Sequence, residues 1–248
     1  MEVRYWQHPA EASISSTYEK EDKGSIHIYT DGSKTDEGVG SGIAIFESGQ
    51  YIKSIQRRLN KKCTNNQAEQ LAILTALQYI ETTQRTDKKI TIYTDSKITL
   101  DKLRNTKIHT YLIEETRRKI IEMSKANWEV NLCWVKAHAG IMGNELADTL
   151  AKKAAKNESL TVEYNRIPKS VVTRELEEKS ARKWQRNWTQ TTKGSTTKEY
   201  FPNVGERLKM KLNLTQNFTA IVTGHGKTKA YLHRFKIIEE KQYRQQTT

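Results

Sequence analysis

Two aspartates occupy the same place in two nearly identical stretches of the sequence. Asp31 follows Ile-His-Ile-Tyr-Thr at 26–30, and Asp95 follows Ile-Thr-Ile-Tyr-Thr at 90–94. The alternation predicts a strand in each stretch, with Tyr and Asp on one face. If the strands lie parallel and adjacent, the carboxylates converge and need a proton or a metal between them. The alternative is two ordinary strands that end in turn residues, since Asp before Gly or Ser is common in turns.

Two further acids border apolar faces of predicted helices. Glu69 lies near the start of a helix predicted over about 65–83, and its neighbours at helical spacing are Ala72, Ile73, Ala76 and Ile80. Asp148 lies in the first turns of a helix over 143–156, beside its alanine stripe. An unpaired charge on an apolar face is costly, which favours a functional acid. The alternatives are a favourable contact between Glu69 and the helix dipole, and a solvated first-turn acid at Asp148.

His138 lies in a glycine-containing loop between a predicted strand, 128–135, and the last of these helices. Imidazole can take up and release a proton near neutral pH, so His138 could shuttle protons. The alternative is an ordinary surface histidine.

The predicted sheet brings Asp31, Glu69, Asp95 and Asp148 to one place. Four oxygen donors without a Cys/His cluster suit Mg²⁺ or Mn²⁺, and two such ions form the clamp used in phosphodiester cleavage.

The elements that position these residues predict an α/β fold. Three strands, at about 26–34, 38–46 and 51–59, have short connections and form an antiparallel meander. Strands then alternate with helices, which favours parallel pairing with the first strand. The expected architecture is a mixed five-stranded sheet with flanking helices over residues 25–156. Residues 1–24 are expected to form an arm or linker, and residues 157–248 a mainly helical basic extension.

The charge of the chain is unevenly distributed. Of the net +13, residues 157–248 carry +9 (18 Lys+Arg against 9 Asp+Glu) and residues 1–156 carry +4 (24 against 20). A basic tail indicates a polyanionic partner, nucleic acid first and an anionic membrane surface second. Two cysteines without metal-ligand spacing disfavour a disulfide scaffold or a zinc finger. With no apolar span and no signal-peptide core, we expect an intracellular protein of nucleus or cytoplasm. The sequence carries no indication of an oligomeric state.

Four sequence pieces resemble ribonuclease H of type 1, and more narrowly the ribonuclease H domain of insect-type non-LTR retrotransposons. They are Tyr29-Thr-Asp-Gly-Ser33, Thr64-Asn-Asn-Gln-Ala-Glu69, Tyr93-Thr-Asp-Ser96, and Trp134-Val-Lys-Ala-His-Ala-Gly140 with Gly143-Asn-Glu-Leu-Ala-Asp148. The resemblance implies cleavage of the RNA strand of RNA–DNA hybrids, with two Mg²⁺ held by Asp31, Glu69, Asp95 and Asp148. It implies turnover and product release assisted by His138, and substrate contacts from Ser33, Thr64, Asn65 and Asn66. Asn65 and Asn66 could also simply cap the helix.

The C-terminal segment resembles the region after this domain in retroelement polyproteins, through Thr223-Gly-His-Gly226 and Tyr231-Leu-His-Arg-Phe235. In those polyproteins a Cys/His-rich knuckle usually comes next, whereas this sequence contains neither that knuckle nor a Tyr-x-Asp-Asp polymerase motif. We therefore expect a detached or truncated ribonuclease H module. Two other functions compete with the enzyme: a non-catalytic nucleic-acid-binding module, and an adaptor whose tail binds a protein. The intact acids favour the enzyme, because a binding role needs no repulsive acid cluster.

Overall fold

The computed structural model describes residues 14–15, 26–226 and 229–238. The chain forms two compact units, Met1–Pro168 and Lys169–Thr248. The predicted arm at 1–24 lies outside the described residues except for residues 14–15. The predicted division after Lys156 stays a prediction, although residues 162–164 add a strand to the sheet of the first unit.

The first unit is built on a seven-stranded sheet in the order β1-β6-β5-β2-β3-β4-β7. Its strands are β1 Ile14–Ser15, β2 Ile26–Lys34, β3 Val39–Glu47, β4 Gln50–Leu59, β5 Lys89–Thr94, β6 Glu129–Trp134 and β7 Val162–Tyr164. Strands β2 to β4 pair antiparallel, and β5 and β6 continue parallel from β2. This confirms the predicted mixed sheet. Strands β1 and β7 extend its edges and, with two and three residues, are too short to show a period of two.

Four helices connect these strands: α1 Asn65–Glu81, α2 Lys97–Arg104, α3 Tyr111–Lys125 and α4 Met142–Lys156. Helix α1 begins at a capping box, in which Thr64 accepts from the Gln67 N–H and the Gln67 side chain accepts from the Thr64 N–H. Such a cap contributes about 1 kcal/mol and fixes where the helix starts. The alternative of capping by Asn65 or Asn66 is wrong, because the N-cap is Thr64.

The two faces of the sheet carry different cores. The isoleucines of β2 and β5 pack with residues of α1, α2 and α3 in a large aliphatic cluster. On the other face, Tyr29 and Tyr93 stack with ring centroids 4.8 Å apart and pack with Ala147 and Leu150 of α4. This confirms the predicted alternation along β2. Asp31 lies on the tyrosine face of the sheet, towards α4.

The second unit contains helices α5 Lys169–Gln190, α6 Ser195–Tyr200, α7 Val204–Lys209, α8 Gln216–Thr223 and α9 Lys229–Arg234. The predicted helical extension is confirmed. The polar stretch 191–198, which has no apolar period, predicts a loop; this is wrong in part, because α6 begins at Ser195 within it. Among the helices in the described ranges, none has the length and apolar character needed to cross a membrane.

Candidate active site

The pairing of β2 with β5 brings the first two acids together. The strands are parallel, with Tyr29 opposite Tyr93 and Thr30 opposite Thr94, so Asp31 and Asp95 come next in register. Strand β5 ends at Thr94, and β2 continues along β3. Asp31 is therefore held within a strand, whereas Asp95 stands at the start of the turn into α2. The predicted convergence of the two aspartates follows from this register.

A close backbone contact places α1 beside Asp31. A Cβ atom built on Gly32 would lie 2.4 Å from the backbone nitrogen of Glu69. Only glycine permits this approach, because a side chain at this position would meet helix backbone rather than flexible atoms. The first turns of α1 thus lie against the strand one residue after Asp31, and Glu69, half-buried, joins the acids there.

A second close contact places α4. A Cβ atom on Gly42 of β3 would lie 2.3 Å from the carbonyl oxygen of Ala147 and 2.4 Å from the nitrogen of Ala151. The alanine stripe of α4 therefore rests directly on β3. Asp148 stands beside that stripe, and its carboxylate accepts a hydrogen bond from Lys152 Nζ at 2.7 Å. The structure thus brings all four predicted acids to one region of the first unit.

The electrostatics of Asp31 show how close the four acids are. Its pKa is raised from 3.8 to about 7, mainly by burial and next by the charge of Asp95, whereas the Gly32 N–H, which donates to Oδ1 at 2.7 Å, lowers it. Asp148 and Glu69 also raise this pKa through their charges. Burial likewise raises the pKa of Glu69 and that of Asp95. Without a cation, ionisation of this cluster is opposed by desolvation and mutual repulsion.

Hydrogen bonds from neighbouring side chains hold two of the acids. Ser96 Oγ donates to one oxygen of Glu69, and Asn65 Nδ2 donates to the other at 2.8 Å. The Asn144 amide donates to Asp95 and lowers its pKa against the effect of burial. Asn144 is 3 % exposed, and its Oδ1 has no hydrogen-bond partner among the described residues.

The sequence alone predicted no role for Ser96 or Asn144. Both lie inside the motifs Tyr93-Thr-Asp-Ser96 and Gly143-Asn-Glu-Leu-Ala-Asp148. Their places in these motifs mark them as neighbours of the acids, but not which acid each side chain bonds after folding. Ser96 also caps α2, because its hydroxyl accepts from the Thr99 N–H.

His138 stands at the rim of the site. It is exposed, has a positive φ of 52° in the loop before α4, and its charge lowers the pKa of Asp95. The ligand atoms of His138, Glu145 and Asp148 all lie within 4.8 Å of one another, close enough to hold a metal ion together. Glu145 was not predicted, although it precedes Asp148 by three residues and so shares its helix face.

The predicted substrate-contact residues lie at the end of β2 and at the start of α1. Ser33 is nearly buried in β2, two residues after Asp31. Thr64 caps α1, and Asn65 is engaged with Glu69, so their side chains already have structural partners. Asn66, in the first turn of α1, is half-buried. These residues share a location near the acids, and their contacts with substrate stay a prediction.

Comparison with known proteins places residues 23–156 under the family described as RNase H. The ribonuclease H of Francisella philomiragia subsp. philomiragia is 35% identical over 147 residues, which cover 53% of this chain and 91% of that protein. The ribonuclease H of Ruthia magnifica is 30% identical over 141 residues, which cover 52% of this chain and 94% of that protein. Among solved structures, the chain is similar to RNase H1 from Halobacterium salinarum, with 23% sequence identity and a TM-score of 0.42. The match covers 53% of this chain and 97% of that structure's chain. It is also similar to LC11-RNase H1 in complex with an RNA/DNA hybrid, with 21% sequence identity and a TM-score of 0.42. That match covers 52% of this chain and 98% of the other.

Proposed function

Because the chain belongs to the RNase H family, we propose that it hydrolyses the RNA strand of RNA–DNA hybrids with the help of two divalent ions. The matched relatives are enzymes named ribonuclease H, and the match spans nine tenths of their length. The proposal adds to this family membership a substrate, a metal requirement and a role for each side chain. The observation that carries it is the group of four acids, in which burial and the charges of the other three raise the pKa of Asp31.

The donor set fits Mg²⁺. Its members are carboxylates, the hard oxygen donors that Mg²⁺ prefers, and three of them are desolvated enough for burial to raise their pKa values. A cation would remove the repulsion that opposes their ionisation. We therefore assign the metal-binding role to Asp31, Glu69, Asp95 and Asp148. When bound, two such ions supply activation of a water and stabilisation of the leaving oxygen.

The remaining side chains orient this set and move protons. Ser96 and Asn65 donate hydrogen bonds to the two oxygens of Glu69, and Asn144 donates one to Asp95. These two carboxylates are therefore already oriented, and little side-chain entropy is lost when a metal ion binds. His138, exposed at the rim, is free to rotate towards a departing product and give its oxygen a proton. Glu145 lies within reach of His138 and could accept a hydrogen bond from its ring before the ring turns.

Recognition of the hybrid is assigned to side chains near the start of α1 and the end of β2. Asn66 is the strongest candidate for a contact with the sugar edge, because an amide can donate to and accept from a 2′-hydroxyl. Asn65 shares its amide with Glu69 and would couple sugar recognition to metal binding. Ser33 and Thr64 would contact the backbone of the hybrid, Thr64 while still capping α1.

Replacement of Asp31 by Asn tests this function. The variant keeps size and hydrogen bonding but removes one charge from the site, and the loss of correct two-ion occupancy should lower the cleavage rate about a thousandfold or more. Cleavage and binding of one labelled hybrid are compared for the unaltered chain, Asp31→Asn and the control Asp36→Asn, which changes an exposed aspartate in the loop after β2. The control should cut normally, and chelator should stop all cleavage.

Two outcomes would overturn the proposal. Near-normal cleavage by Asp31→Asn would remove the carboxylate cluster from the mechanism. Binding without cleavage by the unaltered chain in Mg²⁺ and in Mn²⁺ would instead support a non-catalytic module that grips nucleic acid.

We further propose that the module derives from a retroelement and acts inside the cell, in nucleus or cytoplasm. The family match ends at residue 156, so the origin rests on the motifs at 223–226 and 231–235. The compartment is supported by Cys63 and Cys133, which are both buried thiols and suit a reducing environment. Imaging of the tagged chain would test the compartment.

A further inference from the structure

The last three turns of α5 carry a row of cations on one face. Four residues at the spacing i, i+3, i+4 and i+7 form this cationic row: Lys179, Arg182, Lys183 and Arg186. All four are exposed. Residues 179–190 contain no acid, and Glu178, in the turn before the row, pairs with Arg174. Within the described part of the chain, no carboxylate pairs with the row.

The opposite face of α5 is turned towards the rest of the second unit. Trp188 Nε1 donates to the carbonyl oxygen of Phe201 at 2.8 Å. The Gln185 side chain accepts from the Val204 N–H at 2.7 Å and donates to the carbonyl oxygen of Pro202 at 3.0 Å. Trp184 and Trp188 both line an apolar cavity of about 210 Å³ formed with α6, α7 and α8. The helix is thus anchored by one side, and the cationic row points away from that side.

We propose that the cationic row binds the sugar-phosphate backbone of a nucleic acid duplex. The row extends over seven residues, or about 10 Å at 1.5 Å per residue, so it is long enough to face about three successive phosphates of one strand. The second unit as a whole is positively charged, since residues 169–248 hold 17 Lys+Arg against 7 Asp+Glu. This charge would attract a negatively charged duplex before contact is made. Four exposed cations on one face of an anchored helix suit contacts with successive phosphates.

Two other partners for a basic helix fit less well. A helix lying in a membrane surface inserts its apolar face, but Trp188 of α5 is hydrogen-bonded to Phe201 and, with the half-exposed Trp184, lines the cavity of the second unit. Single-stranded nucleic acid is gripped by stacking of bases on aromatic rings, and the cationic row contains none. Contacts limited to phosphates predict binding that is independent of base sequence and steeply dependent on salt.

The test measures binding without chemistry, so its outcome does not depend on the carboxylate site. Fluorescence anisotropy of a labelled RNA–DNA hybrid and of a DNA duplex is recorded with the full chain in EDTA over a series of NaCl concentrations. The row variant neutralises the four cations: Lys179→Gln, Arg182→Gln, Lys183→Gln and Arg186→Gln. The control removes the same charge from exposed lysines elsewhere in the second unit: Lys193→Gln, Lys209→Gln, Lys211→Gln and Lys229→Gln.

The row variant should lose at least tenfold in affinity at physiological salt, and the slope of log affinity against log salt should fall by about 3, at roughly 0.9 per lost phosphate contact. The control should change the slope by less than about 1. A third variant with Lys and Arg exchanged at the four row positions should bind like the unaltered chain. If the row variant does not fold, as judged by circular dichroism, the pairs Lys179→Gln with Lys183→Gln and Arg182→Gln with Arg186→Gln should each lose about half of that slope.

Equal slopes for the row variant and the control would overturn the proposal, because binding would then follow net charge alone. Loss of binding to phosphatidylserine vesicles by the row variant, with duplex binding unchanged, would overturn it in favour of a membrane surface. Cleavage plays no part in these measurements, so an inactive carboxylate site would leave the result readable.

Discussion

Replacement of Asp31 by Asn should make the metal-free chain more stable, although it destroys the proposed activity. Asp31 is 8 % exposed and lies among three other acids. Its ionised form is therefore disfavoured in the folded state, mainly by desolvation and next by the charge of Asp95. Asparagine is neutral at every pH and can still accept the Gly32 N–H, so it removes the penalty and keeps the hydrogen bond.

The sign and the size of the effect follow from proton linkage. The folded state holds its proton up to about pH 7, whereas the unfolded chain releases it near 3.8. Between these values the unfolded state binds fewer protons, so the stability of the unaltered chain falls as pH rises. The full shift corresponds to about 4 kcal/mol at 1.36 kcal/mol per pKa unit. With local relaxation around the charge, we expect the variant to gain about 2–4 kcal/mol above pH 7 and almost nothing below pH 4.

Urea and thermal unfolding in EDTA, followed by circular dichroism from pH 4 to pH 8.5, would measure this difference. At pH 8 the melting temperature of Asp31→Asn should exceed that of the unaltered chain by roughly 5–15 °C, from about 2–4 °C per kcal/mol in a unit of this size. The control Asp36→Asn, an exposed aspartate, should show no pH-dependent gain. Addition of Mg²⁺ should stabilise the unaltered chain more than the variant and narrow the gap.

A gain that is the same at pH 4 and pH 8 would refute the reasoning, because a pH-independent effect cannot arise from ionisation of Asp31. So would a loss of stability at pH 8, which would mean that the carboxylate is stabilising in the absence of metal.

Three further predictions concern neighbouring features. Asn66→Ala should reduce discrimination between hybrid and duplex RNA with unchanged Mg²⁺ affinity, whereas Asn65→Ala should weaken both, as competition binding and a Mg²⁺ titration would show. A chain ending at Lys156 should be less stable than one ending at Pro168 by about 3 kcal/mol in urea unfolding, because it loses strand β7 and a buried tyrosine; equal stabilities would place the boundary at 156. Asn144→Ala should raise the pKa of its partner carboxylate and move the rise of the pH–rate profile to higher pH, and an unmoved profile would assign Asn144 to packing alone.

The sequence was sufficient to predict the sheet and the convergence of the acids, because both follow from local patterns. The alternation in β2 and β5 has a period of two, and their matching phase anticipates the observed register. The apolar neighbours of Glu69 are buried as expected. These features depend on strand and helix geometry, which a few residues encode.

The features that sequence did not predict depend on contacts between distant segments. Strand β7 is three residues long and exists because β4 offers it an edge. The roles of Ser96 and Asn144 depend on which atoms face the acids after folding, and no spacing encodes that. Helix α6 lies in a polar stretch, and part of its support is the Trp188 indole that reaches the residue after its end. Tertiary contacts override weak local preferences at all of these places.

The parallel pairing of β2 with β5 has a consequence for the time at which the enzyme matures. Domains fold as the chain emerges from the ribosome, N-terminal parts first. Asp31 emerges early, but its neighbour Asp95 comes only after the whole of α1, and Asp148 only after β6 and the loop to α4. A nascent chain therefore holds an incomplete set of carboxylates until α4 docks on β3. The proposed hydrolysis can therefore begin only after α4 has emerged and docked on β3.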